Sequence, residues 1–270
     1  MPFTPLHPGR SSTPPRIRLR QVWLARRPAV GCALLALASA GITGCQGMAM
    51  YSNLHAAQLR VIDASPDAGV IDSYGNNGAL AYNLSFGAIT NYIPLSPGDY
   101  RLTADRAGTR QILVTNNQRL AADQQYTEII GASLANMRQT IFHDRSTPAP
   151  QGEIAVRVIN ETTRPGSLNV SMVSLASPDD KTIRSSSLAV NLGSGASSGY
   201  VLLPMGTYAI HVTSSAASPS APASLLSGAQ QPYPSGAVRT VVLIDQTPPS
   251  PQQPLPQPSV QAIIAADADA

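Results

Sequence analysis

A stretch of 20 residues that occurs twice constrains the fold of this chain more than any other feature. NLSFGAITNYIPLSPGDYRL covers residues 83–102, and NLGSGASSGYVLLPMGTYAI covers residues 191–210. The residues that recur 108 positions later in the chain include Asn83, Gly87, Tyr92, Gly98 and Tyr100. A constant offset across several identities indicates a duplicated structural unit. We therefore expect two related domains.

The repeated stretch contains two apolar runs separated by a turn. Residues 92–95 and 100–103 flank Ser96-Pro97-Gly98-Asp99. Pro presets φ for the second position of a type II turn, and Gly accepts the positive φ of the third. The pattern predicts a β-hairpin. Pro94 cannot donate to a sheet ladder, which favours an edge strand or a bulge for its segment.

Tyrosines follow the turn in both occurrences of the stretch, as Tyr100 and Tyr208. We expect each to bury its ring between two sheets and to donate its hydroxyl to the backbone. A binding role for the same tyrosines is the alternative. Four other tyrosines could stack on a sugar if they are exposed, although core packing is the commoner fate of such residues in strands. They are Tyr74, Tyr82, Tyr92 and Tyr233.

Short strand-like runs with turn signals between them fill the rest of the chain. We predict further strands at 59–63, 70–74, 111–115, 126–130 and 140–143, and then at 154–159, 238–244 and 260–264. No segment has a sustained helical period. Such spacing is the signature of a β-sandwich. The sequence therefore predicts an all-β fold of two tandem antiparallel sandwiches over residues 58–146 and 153–270.

Several connecting segments are also predicted. Residues 147–152 form the linker between the domains. About 11 residues are inserted in the second domain, most simply at the polar segment 177–181. Residues 214–236 are a Pro-rich excursion of small residues, and residues 247–258 are a polyproline-type loop before the last strand. A stiff connector is the simpler interpretation of that loop, and docking on an aromatic groove is the alternative.

The N-terminal segment has the features of an export signal. Residues 1–44 contain six arginines and no acidic residue, and the apolar run 29–42 is shorter than the roughly 20 residues of a membrane span. The run ends in Ile42, Thr43, Gly44 and Cys45, which resemble the bacterial lipobox. That resemblance implies cleavage before Cys45 and lipid, including palmitate, on this residue. A soluble secreted protein cleaved nearby is the alternative.

The charge of the mature chain excludes one class of partner. Removing the six signal arginines from the 18 basic residues leaves 12 against 15 acidic ones, a net charge of −3. Nucleic-acid binding requires a retained basic face, so we expect no nucleic-acid partner. Cys32 lies in the signal and Cys45 would carry lipid, so no thiol remains for a disulfide. Residues 45–57 are expected to form a tether, and Gln46 after the Cys favours the outer membrane in Gram-negative lipoproteins.

The first domain resembles a known family. LRVIDASPDAGVIDSY, Leu-Ser-Phe-Gly, Pro-Gly-Asp-Tyr and QQYTEIIGASLA together are similar to the DUF4397 family of bacterial envelope proteins. Asp63 stands where that family usually has His, and Ser73 stands where it usually has Val. The resemblance implies an immunoglobulin-like or transthyretin-like sandwich and covers the second domain more weakly. It implies no biochemical role.

Residues with the potential for chemistry are few. Asp63, Asp67 and Asp72 could offer carboxylate oxygens to Ca²⁺, but their spacing is not that of a calcium loop, and capping of turns is the alternative. His55, His143 and His211 have no metal-type spacing and no adjacent nucleophile motif. We predict no cofactor and no enzymatic activity.

The resulting functional prediction concerns location and class. We expect a lipid-anchored envelope protein that acts as a binding or structural module, adhesion-type, with an unknown protein or polysaccharide partner. The alternative is an accessory subunit for exopolysaccharide assembly or modification that binds glycan.

Overall fold

The computed structural model of the protein describes residues 55–174, 184–216, 224–246 and 259–269. Three predicted features lie outside these residues: the lipobox at 42–45 with most of the tether, the insertion at 177–181, and the Pro-rich loop at 247–258.

The first half of the chain forms two four-stranded sheets. Its strands are β1 (Ala57–Asp63), β2 (Ile71–Gly75), β3 (Gly78–Leu84), β4 (Ile93–Leu95), β5 (Gly98–Arg106), β6 (Ile112–Leu120), β7 (Gln125–Gly131) and β8 (Arg138–Asp144). The inner sheet has the order β4-β1-β7-β8, and the outer sheet has the order β3-β2-β5-β6. Strands β1 and β7 are parallel, and the other pairs are antiparallel.

The second half repeats this arrangement. Its strands are β9 (Glu153–Asn160), β10 (Leu168–Ser174), β11 (Arg184–Leu192), β12 (Ser197–Pro204), β13 (Gly206–Ser214), β14 (Ser224–Ser227), β15 (Gln231–Tyr233), β16 (Val238–Asp245) and β17 (Val260–Ala268). The inner sheet has the order β12-β9-β16-β17. The outer sheet has the order β11-β10-β13-β14, and β15 also pairs with β13. Strands β9 and β16 are again the parallel pair.

Successive side chains of each inner strand point to opposite faces of the sheet, and both faces are buried. In β1, Leu59 and Val61 pack into the first sandwich, while Ile62 packs on its other side. The second sandwich has its own core between its two sheets, which includes Val156 and Val170. Because successive side chains of a strand point to opposite faces, an inner strand buried on both sides carries few exposed residues. The all-β sandwich prediction is confirmed.

The hairpin prediction is wrong. Strand β4 pairs with β1 in the inner sheet, whereas β5 pairs with β2 and β6 in the outer sheet. The Ser96–Asp99 segment therefore carries the chain from one sheet of the sandwich to the other. The same crossing occurs between β12 and β13. Strand β4 does lie at a sheet edge, as expected from Pro94.

The reason proposed for the repeated glycine also needs correction. Gly98 has φ +157°, close to the extended conformation, and Gly206 does not have a positive φ. Neither has the dihedral angle of a type II turn. A Cβ on Gly206 would lie 3.3 Å from Cε2 of Tyr208. The tyrosine ring therefore favours glycine at 206, whereas at 98 a Cβ would meet nothing within 4 Å and the positive φ is what favours glycine.

Both tyrosines donate their hydroxyl to the backbone as predicted, but only the Tyr208 ring is buried, and the Tyr100 ring is half-buried. The Tyr100 hydroxyl donates to the Ser96 carbonyl at 2.8 Å, and the Tyr208 hydroxyl donates to the Pro204 carbonyl at 2.8 Å. Each bond spans the crossing between sheets and fixes its angle. Asn83 and Asn191 also have matching geometry, with φ +52° and +53°. Asn tolerates this left-handed conformation better than most residues, which explains its recurrence.

The segment predicted as a Pro-rich excursion at 214–236 contains two short strands, β14 and β15, along β13. Strand pairing there was missed because small residues and Pro weaken the periodic signal. Among the described residues, the only helical element is a 3₁₀ turn at Leu134–Asn136, and no helix there is long and apolar enough to cross a membrane.

Candidate functional site: the interdomain charge network

The inner sheets of the two sandwiches pack against each other. Ile62 and Ile129 from the first sandwich share one apolar cluster with Ile159, Val242 and Ile244 from the second. Beside this cluster, the same interface buries two arginines and two aspartates. We call the interdomain charge network the eight residues Arg60, Tyr92, Thr127, Asp144, Arg157, Tyr200, Thr240 and Asp267.

Arg60 in β1 reaches from the first sandwich into the second. Its Nη2 forms an ion pair with Asp267 Oδ1, and its Nη1 donates to the Ala266 carbonyl at 2.9 Å. Its Nε donates to Thr127 Oγ1 in its own sheet at 2.9 Å. The guanidinium lies over the Tyr92 ring, 4.7 Å from the centroid. Arg60 is therefore held by both sandwiches.

Arg157 in β9 makes the reciprocal set of contacts. Its Nη2 pairs with Asp144 Oδ1 at 2.5 Å, and its Nη1 donates to the His143 carbonyl at 2.9 Å. Its Nε donates to Thr240 Oγ1 at 3.1 Å, and its guanidinium lies 4.7 Å from the Tyr200 ring centroid. The two arginines thus exchange partners across an approximate two-fold axis, as in an isologous interface.

The carboxylates complete the pattern. Asp144 Oδ2 accepts from the Tyr92 hydroxyl at 2.7 Å and from Thr127 Oγ1 at 2.6 Å. Asp267 Oδ2 accepts from the Tyr200 hydroxyl at 2.8 Å and from Thr240 Oγ1 at 2.7 Å. Each carboxylate therefore accepts two hydroxyl bonds in addition to its ion pair.

The network is buried and electrically balanced. The four charged residues are between 1% and 5% exposed, and two guanidinium charges match two carboxylate charges. Burial raises the pKa of Asp267, and the Arg60 charge opposes that shift. Burial also raises the pKa of Tyr92, with the Asp144 charge adding to it, and raises the pKa of Tyr200 to about 12. Both phenols therefore stay protonated and keep donating. Such a saturated network suits a structural role.

A further ion pair joins the sandwiches at another place. Arg138 Nη2 in β8 lies 2.8 Å from Glu161 Oε2 and donates to Ser194 Oγ at 3.2 Å. Glu161 is buried, which raises its pKa, and Arg138 opposes the shift. Gly195 lies under this arginine, and a Cβ there would approach Arg138 Cζ to 2.6 Å.

The three aspartates considered for Ca²⁺ each accept backbone hydrogen bonds. Asp63 Oδ1 accepts from the Ser65 amide at 2.9 Å, and Asp67 Oδ1 accepts from the Leu134 amide at 2.7 Å. The two oxygens of Asp72 accept from the Asn83 and Gly108 amides. Within the described residues, no three His, Cys, Asp or Glu side chains are grouped to hold a metal ion. Only the Asp63 contact with Ser65 is a local turn cap, whereas the other two aspartates accept from amides of segments remote in sequence.

Two buried carboxyl groups of the first sandwich are incompletely paired. Asp63 Oδ2 and Glu128 Oε2 have no hydrogen-bond partner. Burial raises the pKa of Asp63 to about 7, against the lowering effect of the Ser65 amide. Burial also raises the pKa of Glu128 to about 7, against bonds from Gln139 and Ser73. Gln139 donates to Glu128 while its own Oε1 lacks a donor, so a proton on Glu128 would supply that donor.

Asn160, the residue of the second sandwich equivalent to Asp63, shows which hydrogen bonds a side chain makes at this position. The two residues are 97 positions apart, as are Arg60 and Arg157. Asn160 Oδ1 accepts from the Thr162 amide, and its Nδ2 donates to the Gly166 and Leu192 carbonyls. Asp63 accepts the equivalent bond from Ser65 but can donate only when it is protonated.

The three histidines considered from the sequence lie apart from one another. His143 contacts Gln124, His55 pairs with Asp123, and His211 Nε2 lies 3.3 Å from Ser224 Oγ. A cavity of about 210 Å³ lies between the loop at Pro66 and Asp67 and residues Thr163, Arg164 and Asp245. A second cavity of about 330 Å³ opens beside the network and includes His143 and Tyr200. Both are at or below the low end of ordinary ligand pockets.

Sequence reasoning missed most of the interdomain charge network. Arg60 and Arg157 lie within the strands predicted at 59–63 and 154–159, but their partners were not predicted. A signal was present, because a charged residue inside an apolar strand such as Ile154–Ile159 must be paired if it is buried. The partners could not be read from the sequence, since Arg60 and Asp267 are 207 positions apart.

Together, the four sheets and the buried network define the class of protein, a double β-sandwich with a packed interdomain interface. Residues 57–171 match the family model described as "Domain of unknown function (DUF4397)". This part of the chain is similar to that family. The match covers the whole first sandwich and continues through β9 into β10.

Other comparisons add little. No curated protein matches the chain. A solved structure, a leucine-rich repeat protein from Bacteroides thetaiotaomicron, is 12% identical, with 69% of this chain and 26% of that chain covered and a TM-score of 0.19. A likeness at that TM-score supports no argument about fold or function.

Proposed function

We propose that this protein is a lipid-anchored cell-envelope module that acts by binding or scaffolding, without catalysis. In this proposal, the two sandwiches are tandem DUF4397-like units, and lipid on Cys45 anchors them to the bacterial outer membrane. More than one acyl chain is needed for stable attachment, and a lipobox cysteine carries lipid on both its sulfur and its amino group.

The observation that carries the proposal is the interdomain charge network. Its arginines each bind both sandwiches, and its charged residues are almost fully buried. Hinge motion would expose or unpair these charges, which is strongly unfavourable. The two sandwiches therefore move as one stiff body, which suits a module that presents a surface at a fixed distance from its anchor.

The outer sheets offer backbone edges to a partner. Strands β6 and β11 each lie at the end of their sheet. Each has nine residues and no proline. An unpaired edge of this length can accept an extended segment by β-augmentation. Partner capture through such an edge is the mechanism we propose.

Lipid attachment is tested by metabolic labelling with palmitate. Cys45→Ser should remove the label and release the protein from the membrane fraction. The matched control is Cys32→Ser, which alters the other cysteine and should leave labelling intact. An unlabelled wild-type protein, or equal labelling of the two variants, would refute the anchor. Crosslinking in intact cells and pull-down, with Cys45→Ser as the detached control, would then identify the partner.

A second candidate is a glycan-binding accessory subunit for exopolysaccharide assembly or modification. The observation that favours it is the exposure of Tyr82, which is 65% accessible and packs edge-to-face on Tyr74. The exposed Tyr82 and the half-buried Tyr74 therefore offer an aromatic surface at the edge of the sheet.

A further inference from the structure

We infer that the outward face of the outer sheet β3-β2-β5-β6 is a binding site for neutral oligosaccharide, centred on the exposed Tyr82 and the half-buried Tyr74 and Asp105, with the Asp72 carboxylate buried beside them. We call this surface the tyrosine face. The inference deepens the glycan-binding candidate, because it names the site and the chemical class of ligand.

The tyrosine face is defined by the register of the sheet. Asp72 lies opposite Asp105, Tyr74 lies opposite Thr103, and Thr103 lies opposite Thr115 on the next strand. Tyr82 on the edge strand β3 meets Tyr74, with ring centroids 5.9 Å apart and an interplanar angle of 84°. Alternate side chains of these strands point away from the core. An aromatic pair therefore adjoins a row of hydroxyl and carboxylate groups.

These groups are close enough to affect one another. The pKa of the Tyr74 phenol is raised by desolvation first, and then by the charges of Asp72 and Asp105 and by Tyr82. The Asp72 oxygens are occupied by backbone amides. Asp105 Oδ1, in contrast, has no hydrogen-bond donor although it is covered. Asp105 therefore gives the cluster an acceptor that no donor of the protein uses.

The second sandwich shows that the fold does not require this cluster. The Asn191 amide donates to Asn169 Oδ1 as the Asn83 amide donates to Asp72 Oδ1, which aligns the two outer sheets residue by residue. By that alignment, Asn169, Ser171, Val190 and Thr213 replace Asp72, Tyr74, Tyr82 and Asp105. Val190 is 76% exposed, so its side chain contributes little to the packing of the sheet. The two tyrosines and Asp105 of the first sandwich are therefore available to a ligand, whereas Asp72 is held by backbone amides.

The chemistry selects the ligand class. A pyranose ring presents C–H groups to an aromatic face and hydroxyl donors at its edges, which match Tyr82 and the carboxylate acceptors. Two carboxylates beside the rings would repel uronic acids by like-charge repulsion. Four strands at a spacing of about 4.8 Å give a face about 14 Å wide, enough for a few sugar rings. The ligand is a short, neutral glycan segment.

The test is calorimetric titration of the full chain, purified in detergent, with neutral hexasaccharides of β-1,4-glucose, α-1,4-glucose and β-1,4-N-acetylglucosamine. A hexasaccharide of uronic acid serves as the charged probe. At least one neutral glycan should bind, and Tyr82→Ala should weaken that binding by at least roughly tenfold, as for a buried aromatic anchor. The matched control is Val190→Ala, which truncates the equivalent exposed residue of the second sandwich and should leave affinity unchanged.

A second variant tests whether the carboxylates repel charged glycans. Asp105→Asn keeps the size of the side chain and should reduce the discrimination against the uronic acid probe. The inference is overturned if no neutral glycan binds at millimolar concentration, if Tyr82→Ala and Val190→Ala have equal effects, or if the uronic acid probe binds most tightly. Labelling of Cys45 and capture of an envelope partner are independent of these titrations, so failure here would leave the anchored-module proposal standing.

Discussion

Removing one carboxylate from the interdomain charge network should strongly destabilise the protein. Asp144→Asn keeps the shape of the side chain but leaves two buried guanidinium groups with a single carboxylate. Asp144 is 1% exposed, and Arg157 and Arg60 lie 2.5 and 3.7 Å from its oxygens. Breaking a buried pair by removing one partner costs about 3–5 kcal/mol. That is a large part of the roughly 5–15 kcal/mol that stabilises a typical native protein.

Equilibrium unfolding in urea, followed by far-UV circular dichroism, measures the effect. In a chain of this size, each kcal/mol corresponds to about 2–4 °C in Tm, so thermal melts should shift by roughly 6–20 °C. The control is Asp99→Asn, because Asp99 and Arg119 form an exposed pair with side chains 78% and 77% accessible. Such surface pairs contribute at most about 1 kcal/mol. If Asp144→Asn is no more costly than this control, the network does not hold the sandwiches together.

Three other predictions test separate features. The protein should become less stable as pH rises from about 4 to about 7. In the folded state Asp63 and Glu128 each have a pKa of about 7 and keep their protons, whereas in the unfolded chain they release them near the ordinary values of 3.8 and 4.5. The expected loss in the free energy of unfolding over this pH range is on the order of 3 kcal/mol for each group. Asp63→Asn and Glu128→Gln should each reduce the difference between the free energies of unfolding measured at pH 5 and pH 8. Gly195→Ala should cost about 1–3 kcal/mol more stability than Gly199→Ala. Both glycines have a positive φ, but only Gly195 lies against Arg138, and displacement of Arg138 would leave Glu161 unpaired. Equal melting temperatures of the two variants would contradict this prediction. Tyr208→Phe should cost about 1 kcal/mol through the lost bond to the Pro204 carbonyl, and an unchanged urea midpoint would argue against that contact.

Local patterns predicted most of the strands but not their partners. The alternation in β1 and the apolar run in β16 follow from burial of one or both faces, which is visible in a short window of sequence. The turn signal at Ser96–Asp99 correctly marked a change of direction. It could not show that β4 and β5 join different sheets, since sheet pairing depends on residues such as Leu59 and Leu120 that are distant in sequence. The candidate sites had the same limit, because the partners of Arg60 and Glu128 come from remote strands.

Comparison of equivalent positions in the two sandwiches separates architecture from function. At 60 and 157, and again at 92 and 200, the residue type is kept, and each pair lies in the interdomain charge network. At 63 and 160 the type changes from Asp to Asn, but a protonated Asp63 would preserve the donor role. At 82 and 190 a tyrosine becomes valine with no loss of a backbone contact. Only this last kind of difference has no structural explanation. We therefore expect the first sandwich to provide the ligand specificity and the second to provide support.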